Sequence, residues 1–257
     1  MNRKKLLIAF YTILRKEIVR ILRLWPQTLL PPLITVILYF IIFGDFMGAR
    51  IGPILGVPYL DFIVPGLIMM TVINSAFANV VYSFYSAKFQ REIEELLVSP
   101  MTMKVIMAGY ICGGIFRGLI AGVMVLCTAL FFWTPHFYDI TIVIFYLIVS
   151  SLVFSLGGMF NAIFARKFDD ITMFSSFVLV PLTYLGGVFY TIDFLPAPWN
   201  SISRLNPILY MMSGFRYGFY GITDIDILTG IVILILLATL LALVNVYLLE
   251  RGVGIKE

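Results

Sequence analysis

Six long apolar segments, separated by shorter polar ones, dominate the pattern of the chain. They cover residues 27–43, 62–85, 105–132, 140–164, 171–190 and 227–249. Each is close to the length of about 20 residues with which a helix crosses a hydrocarbon core of about 30 Å. The pattern therefore predicts an all-α integral membrane protein with six transmembrane helices, forming a single transmembrane domain over residues 1–257.

Residues 1–26, before the first span, follow a helical period with two unlike faces. The apolar positions recur at steps of three and four residues, at Leu7, Phe10, Leu14, Ile18, Ile21 and Trp25. The polar side carries Lys5, Thr12, Lys16, Arg20 and Arg23. A basic amphipathic helix that ends in tryptophan is typical of a cytosolic membrane surface. The alternative is a solvated continuation of the first span.

The segment 86–104 is the longest charged stretch between two spans. Placed as a helix, it has an apolar stripe made of Phe89, Ile93, Leu96 and Leu97. The opposite face carries Lys88, Arg91, Glu92 and Glu95, and Pro100 stops the helix. Such a helix either lies in the headgroup layer or docks a protein partner. Three acids, Glu92, Glu94 and Glu95, fit anionic lipid poorly and favour a partner.

The distribution of basic residues predicts the orientation of the chain in the membrane. Fourteen of the 18 Lys and Arg residues lie on the side of the N-terminus, and only Arg50, Arg204 and Arg216 lie on the other side. Cytosolic loops carry the excess of positive charge. We therefore expect both termini and residues 86–104 in the cytosol, and residues 191–225 outside.

The external segment 191–225 is rich in proline, glycine and aromatic residues. Asn206 followed by Pro207 is a good helix start, because proline is favoured at the first helical position. A helix from Pro207 to about Gly221 is too short to cross the membrane and carries Arg216. We expect re-entrant helices buried against protein, with Tyr210 pointing into the closure and Arg216 at headgroup level or paired with an acid.

The second span carries polar side chains on one helical face. They are Thr71, Ser75, Asn79, Tyr82 and Ser86, and Asn74 lies beside them. Polar groups in a span turn away from lipid. They either join helices by hydrogen bonds or line a translocation path, and the spacing leaves both interpretations open.

Arg117 lies near the middle of the third span, where an unpaired cation costs about 3 kcal/mol or more. It must face protein or water, and it serves either a structural pairing or the path. The same span has glycines at close intervals, which indicate tight helix packing: Gly109, Gly113, Gly114, Gly118 and Gly122.

Composition and motifs exclude several classes of function. The chain is 61% hydrophobic and 12% charged, with a mean hydropathy of +1.02, and its basic residues lie in short loops, which is no nucleic-acid signal. No Gly-Lys pair occurs, so no P-loop can hold ATP. No carboxylate lies deep in a span, and His136 is the single histidine, so neither an ion-coupled carrier nor a catalytic or metal site is indicated.

Two segments resemble the type-2 ATP-binding-cassette (ABC-2) exporter permeases. An acidic-Leu-Leu-x-x-Pro motif of that family matches Glu95, Leu96, Leu97 and Pro100. The family's external pattern of glycine, aromatic, Leu-Pro, Asn-Pro-x-x-Tyr and arginine matches Gly186, Gly187, Phe189, Leu195, Pro196, Asn206, Pro207, Tyr210 and Arg216. The resemblance covers essentially the whole chain, and it is to the drug, lipid and polysaccharide export branch.

The resemblance implies a permease subunit in the bacterial inner (plasma) membrane, without an ATPase site or a bound cofactor of its own. A second copy of the chain would complete a homodimer, and two cytosolic ABC ATPase subunits would hold ATP and Mg. Segment 1–26 would be the interface helix, 86–104 the coupling helix and 191–225 the external re-entrant region. The substrate would be an amphipathic lipid, drug or lipid-linked glycan, moved outward. The alternatives are a membrane assembly scaffold and an ion-coupled carrier.

The sequence patterns and the resemblance together give three groups of candidate functional residues. ATPase docking would use Phe89, Arg91, Glu92, Glu94, Glu95, Leu96, Leu97 and Pro100. The translocation path would be lined by Thr71, Asn74, Ser75, Asn79, Tyr82 and Arg117. The external gate would be formed by Gly186, Gly187, Phe189, Pro196, Asn206, Pro207, Tyr210 and Arg216.

Overall fold

Helices make up every regular element of the computed structural model, which describes residues 3–46, 48–98, 101–223 and 225–254. Six stretches within these ranges are long and apolar enough to cross a membrane: Trp25–Gly44, Tyr59–Phe89, Met103–Ala129, Ile140–Phe164, Phe168–Leu185 and Ile227–Glu250. The predicted all-α membrane fold with six spans is confirmed. The third and fifth spans begin and end a few residues earlier than the apolar pattern indicated.

The helices are numbered in chain order. The first five are α1 (Arg3–Arg23), α2 (Trp25–Phe40), α3 (Gly48–Ile51), α4 (Tyr59–Phe89) and α5 (Glu92–Val98). The next four are α6 (Met103–Ala129), α7 (Ile140–Phe164), α8 (Phe168–Phe174) and α9 (Val180–Leu185). The last three are α10 (Trp199–Arg204), α11 (Pro207–Tyr220) and α12 (Ile227–Glu250). Short π-helical turns, Ile41–Phe46 and Ser175–Leu179, extend α2 and join α8 to α9.

Helix α4 is the centre of the bundle. In its most apolar window 78% of the residues are buried, against 17% in the first, fifth and sixth spans. Glycines let α6 and α7 approach α4 closely: a Cβ at Gly118 would lie 3.1 Å from the Cβ of Ala76, and one at Gly158 2.6 Å from the carbonyl oxygen of Phe77. The predicted close packing of the α6 glycines is therefore present.

Helix α1 packs on the first half of α6 at two further glycines, Gly109 and Gly113. Ile13 lies over Gly109 and Glu17 over Gly113, so the two helices run in the same direction. The buried side of α1 is Ala9, Ile13, Glu17 and Ile21. The apolar stripe predicted from the sequence is offset by a partial turn from this buried side: Leu7 is 67% exposed in the single chain, while the side facing protein includes a carboxylate.

The structure does not contain the predicted single helix over residues 86–104. Helix α4 runs to Phe89, the chain turns at Arg91 with φ of +61°, and α5 starts afresh at Glu92. Lys88 donates from its ammonium to the carbonyls of Ile163 and Ala165 at the end of α7, at 3.0 and 2.9 Å. These bonds hold the end of α4 against α7, so the chain must turn before it can form α5.

We call the end of the bundle that carries α5 the α5 end and the opposite end the α11 end. A short helical cap, made of α10 and α11, closes the α11 end. Asn206 caps α11 by accepting from the amide of Ile208 at 3.0 Å, and Pro207 takes the first helical position, as predicted. With 14 residues α11 is about 21 Å long, less than a bilayer core. It is largely buried against α4, α7 and α12.

Candidate functional site

A buried polar cluster joins α1 to α4. The carboxylate of Glu17 is fully buried. It accepts from Ser83 Oγ at 2.6 Å, from Arg20 Nη2 at 2.6 Å and from Asn79 Nδ2 at 3.4 Å. Arg20 Nη2 also donates to Asn79 Oδ1 at 2.9 Å. We call Glu17, Arg20, Asn79 and Ser83 the Glu17 cluster; it satisfies a charge that would otherwise be costly to bury.

Glycine at position 113 makes the Glu17 cluster possible. A Cβ there would lie 2.7 Å from the Cβ of Glu17, so any larger residue would push α1 away from α6. Sequence reasoning missed Glu17, which lies outside the six spans. The available signal was that Glu17 is the single acid in a helix that carries seven basic residues, Arg3, Lys4, Lys5, Arg15, Lys16, Arg20 and Arg23.

Arg117 of α6 lies beside this cluster. Its Nη2 donates to the carbonyl of Thr28 at a long 3.4 Å, and its buried Nε has no hydrogen-bond partner among the described residues. Arg20 and Tyr82 lie close enough to Arg117 to interact with it electrostatically. The structure therefore brings Arg117 near one other predicted path residue, Tyr82, but gives it no ion pair with an acid among the residues it describes.

The predicted polar face of α4 divides into a buried and an open part. Thr71, Ser75 and Asn79 are buried, and Asn79 is held by α1. Asn74 is half-buried and Tyr82 is 37% exposed, so these two lie on the open side of the helix. Interhelical bonding and an open polar face are thus both present, on neighbouring strips of one helix.

A cavity of about 250 Å³ lies between α2 and α4. Thr35, Thr71, Asn74 and Ser75 supply its polar lining, opposite the consecutive prolines of α2. It continues the open side of α4 from Tyr82 toward the α11 end. Polar side chains thus lie along the open side of α4 from Tyr82, near Arg117 of α6, to this cavity.

Aromatic rings gather where the first, second and fifth spans meet at the α11 end. The ring of Phe189 lies 5.6 Å from Tyr39, 5.2 Å from Phe43 and 6.1 Å from Tyr184, and Tyr59 lies 6.2 Å from Phe43. Tyr59 also donates to the carbonyl of Phe189 at 3.3 Å. Of this aromatic cluster the sequence singled out only Phe189, because the others lie on different helices and share no motif.

The predicted gate residues form the anchor of the cap. Asn206 Nδ2 donates to the carbonyl of Leu182 at 2.6 Å, which ties the start of α11 to α9. A Cβ at Gly186 would lie 2.5 Å from Ile208, and Gly187 has φ of +78°, so both glycines are needed for this turn. Pro196 is exposed, and its carbonyl accepts from the amide of Trp199 at the start of α10.

The structure gives the contacts of two further cap residues. Arg216 is only 3% exposed, and its position relative to the headgroups stays a prediction. Its Nη2 donates to the carbonyl of Gly187 at 2.8 Å, its Nε to that of Phe62 at 3.3 Å, and it stacks on the Phe62 ring at 3.7 Å. Tyr210 packs beside Gly230 of α12 and donates to the carbonyl of Arg204 at 2.7 Å, so it fastens the cap within the chain.

At the α5 end, α1 and α5 enclose a cleft of about 570 Å³. Glu92, Glu95 and Leu96 line it from α5, and Lys16 forms an ion pair with Glu92 across it. Glu94 and Glu95 are exposed, and Glu94 lies 4.0 Å from the exposed Arg91. Phe89 belongs to α4 and packs on Phe168 instead of continuing the α5 stripe. The side chain of Leu97, and Pro100, lie outside the described residues.

Comparison with known proteins identifies the kind of chain that carries these features. The family model for the ABC-2 type transporter matches residues 8–220. The inner membrane transport permease YadH of Escherichia coli (strain K12) is 50% identical over 250 residues, covering 97% of this chain and 98% of that protein. Nodulation protein J of Neorhizobium galegae is 23% identical over 248 residues, covering 95% and 94%. The family match includes α4, α5, α6 and the cap.

Proposed function

The chain belongs to the ABC-2 type transporter family, and from this premise we propose that it is the transmembrane subunit of an ATP-driven exporter. It is a multi-pass transport permease of the inner membrane. In our proposal a separate ATPase subunit binds ATP and Mg at the α5 end, which faces the cytosol with both termini. An amphipathic substrate then moves toward the α11 end.

The open polar side of α4 is the observation that carries this proposal. It leads from Tyr82, beside Arg117, to Asn74 and the cavity between α2 and α4. Most of the second span is buried, so an open polar strip there is exceptional for this helix. Above it the aromatic cluster and the cap anchored by Arg216 form the exit gate that the proposal requires.

Contacts of α5 supply a route by which an ATPase could move α4. The ion pair between Lys16 and Glu92 links α5 to α1, and the Glu17 cluster links α1 to α4. A displacement of α5 would therefore reach the middle of the central helix through side chains in direct contact. We propose that Glu17 is a positioning residue for this coupling.

A second copy of the chain would complete the path. The first and fifth spans are poorly covered within one chain, and they flank the cavity and the aromatic cluster. Lipid on both sides of the polar strip would leave Asn74 and Tyr82 in hydrocarbon, which is unfavourable for polar groups. A homodimer that packs across these spans would enclose the strip instead.

Cysteine labelling along α4 will distinguish a path from a scaffold. In single-cysteine variants, a water-soluble maleimide should label positions 74 and 82 several-fold faster than position 79, because only the first two lie on the open side. The measurement is the labelling rate in membranes, with position 77, buried against α7 and α8, as a control. Equal rates at positions 74, 79 and 82 would favour the scaffold.

Charge reversal on α5 will test ATPase docking. The double variant Glu94→Lys, Glu95→Lys should lower co-purification of the ATPase subunit and stimulated ATP hydrolysis by about tenfold, since reversing interfacial charge opposes association. Membrane insertion should stay normal because both residues are exposed. Asp193→Lys, an exposed acid at the α11 end, is the control. The docking assignment is wrong if both readouts survive the double change.

A further inference from the structure

Positive charge accumulates along one side of α1 and exceeds what the nearby acids neutralise. Arg15, Lys16, Arg20 and Arg23 line a groove of about 720 Å³ along α1. Lys16 is paired with Glu92, and Arg20 with Glu17. Arg15, Arg23 and the neighbouring Arg117 form no ion pair within the described ranges. The groove and its surroundings therefore carry surplus positive charge.

Unused hydrogen-bond donors point the same way. The Nε atoms of both Arg20 and Arg117 are buried and have no partner in the part of the chain that the structure describes. Buried donors on charged groups are normally satisfied, because leaving them unpaired is costly. Two guanidinium groups that repel each other and retain free donors can be satisfied together by one anion with several oxygens.

The surroundings of the groove select an amphiphile over a free anion. Val19 and Leu24 line the groove beside the cations, and Leu22 and Trp25 are exposed next to it on the same helices. An apolar chain could lie on these side chains while its headgroup contacts the arginines. Arginine suits phosphate in particular, because its planar donors bind two phosphate oxygens at once.

We infer that this groove, lined by Arg15, Arg20 and Arg23 with Arg117 behind Arg20, binds the phosphate headgroup of an anionic amphiphile before it is transported. The inference rests on the proposed export function and names its substrate class. A headgroup held by Arg20 would lie next to Asn79 of α4, near Arg117 and the start of the open side of α4. The groove thus forms a loading site at the α5 end of the path.

Binding to the purified full-length permease in detergent tests this inference. The probes are dioctanoyl phosphatidate, dioctanoyl phosphatidylcholine and inorganic phosphate, followed by calorimetric titration. Phosphatidate should bind about tenfold or more tightly than either other probe, and Arg117→Gln should weaken it about tenfold because a charge-assisted contact is lost. Arg204→Gln, at the exposed end of α10, should leave the affinity unchanged.

Each other outcome overturns part or all of the inference. If the wild type and Arg117→Gln bind phosphatidate with equal affinity, the assignment of the site is wrong. If phosphate and phosphatidate bind with equal affinity, the assignment of an amphiphile as the ligand is wrong. If Arg117→Gln does not fold, the double variant Arg15→Gln, Arg23→Gln decides in its place, because both side chains are exposed. No ATPase is present in this assay, so its failure is separable from failure of the docking test on α5.

Discussion

Replacing Glu17 by alanine should lower the free energy of unfolding by about 3–5 kcal/mol, because it leaves Arg20 partly buried without its carboxylate partner. Ser83 and Asn79 lose an acceptor in the same step. For a chain of this length the change corresponds to a fall in the thermal midpoint of about 10 °C. The measurement is thermal unfolding of the purified protein in detergent.

The exposed ion pair between α1 and α5 is the matched control. Lys16 and Glu92 are about half exposed, so Lys16→Ala should cost about 1 kcal/mol or less. Glu17→Gln retains the size and an acceptor oxygen, and should be more stable than Glu17→Ala. In the presence of the ATPase, Glu17→Gln should reduce transport more than ATP hydrolysis if Glu17 positions α4. Equal melting of Glu17→Ala and Lys16→Ala would contradict the buried cluster.

Replacing Arg216 by leucine should destabilise the cap by about 3–5 kcal/mol, since two charge-assisted hydrogen bonds and a buried cation–π contact are lost together. The carbonyls of Gly187 and Phe62 would remain buried without this donor. Because these carbonyls belong to the start of α4 and the end of the fifth span, we expect the closed α11 end to loosen. Proteoliposomes should then leak small solutes without ATP.

The variant Arg216→Lys separates the contribution of the positive charge of Arg216 from that of its hydrogen-bond geometry. Lysine keeps the positive charge but cannot reach two carbonyls with a planar fork, so its stability should fall between those of the wild type and Arg216→Leu. Arg204→Leu, at an exposed arginine of the same cap, should change neither leak nor melting by a measurable amount. If the Arg216→Leu variant neither leaks solutes nor melts at a lower temperature than the wild type, the cap is held closed by other contacts.

The coupling segment illustrates how far periodicity alone can go. Residues 86–104 have a helical pattern, yet the chain breaks at Arg91, which adopts a left-handed conformation. Nothing local marks that position, since a non-glycine residue rarely has positive φ. The break follows from distant partners: Lys88 binds the end of α7 and Phe89 packs on Phe168. Helix α5 is consequently short and separate.

The polar residues of the spans show the same difference between what local spacing predicts and what distant partners decide. The spacing of Thr71, Ser75 and Asn79 placed them on one face of α4 correctly. Their spacing could not tell that α1 covers Asn79 while Tyr82 stays open, because burial depends on which helix lies opposite. The contacts of Arg216 could not be predicted for a similar reason: a lone arginine in a short external helix gives no sign of the carbonyls it meets.

From the sequence alone one obtains the six spans, the predicted orientation, the family and the cap that starts at Asn206 and Pro207. Segment length, charge asymmetry and helix-start chemistry are local properties, so they can be read one segment at a time. Only the tertiary structure brings Glu17 to Ser83, 66 residues away, and Arg216 to Phe62, 154 residues away. Burying such groups is favourable only when distant partners replace water, and that replacement is decided by how the helices pack.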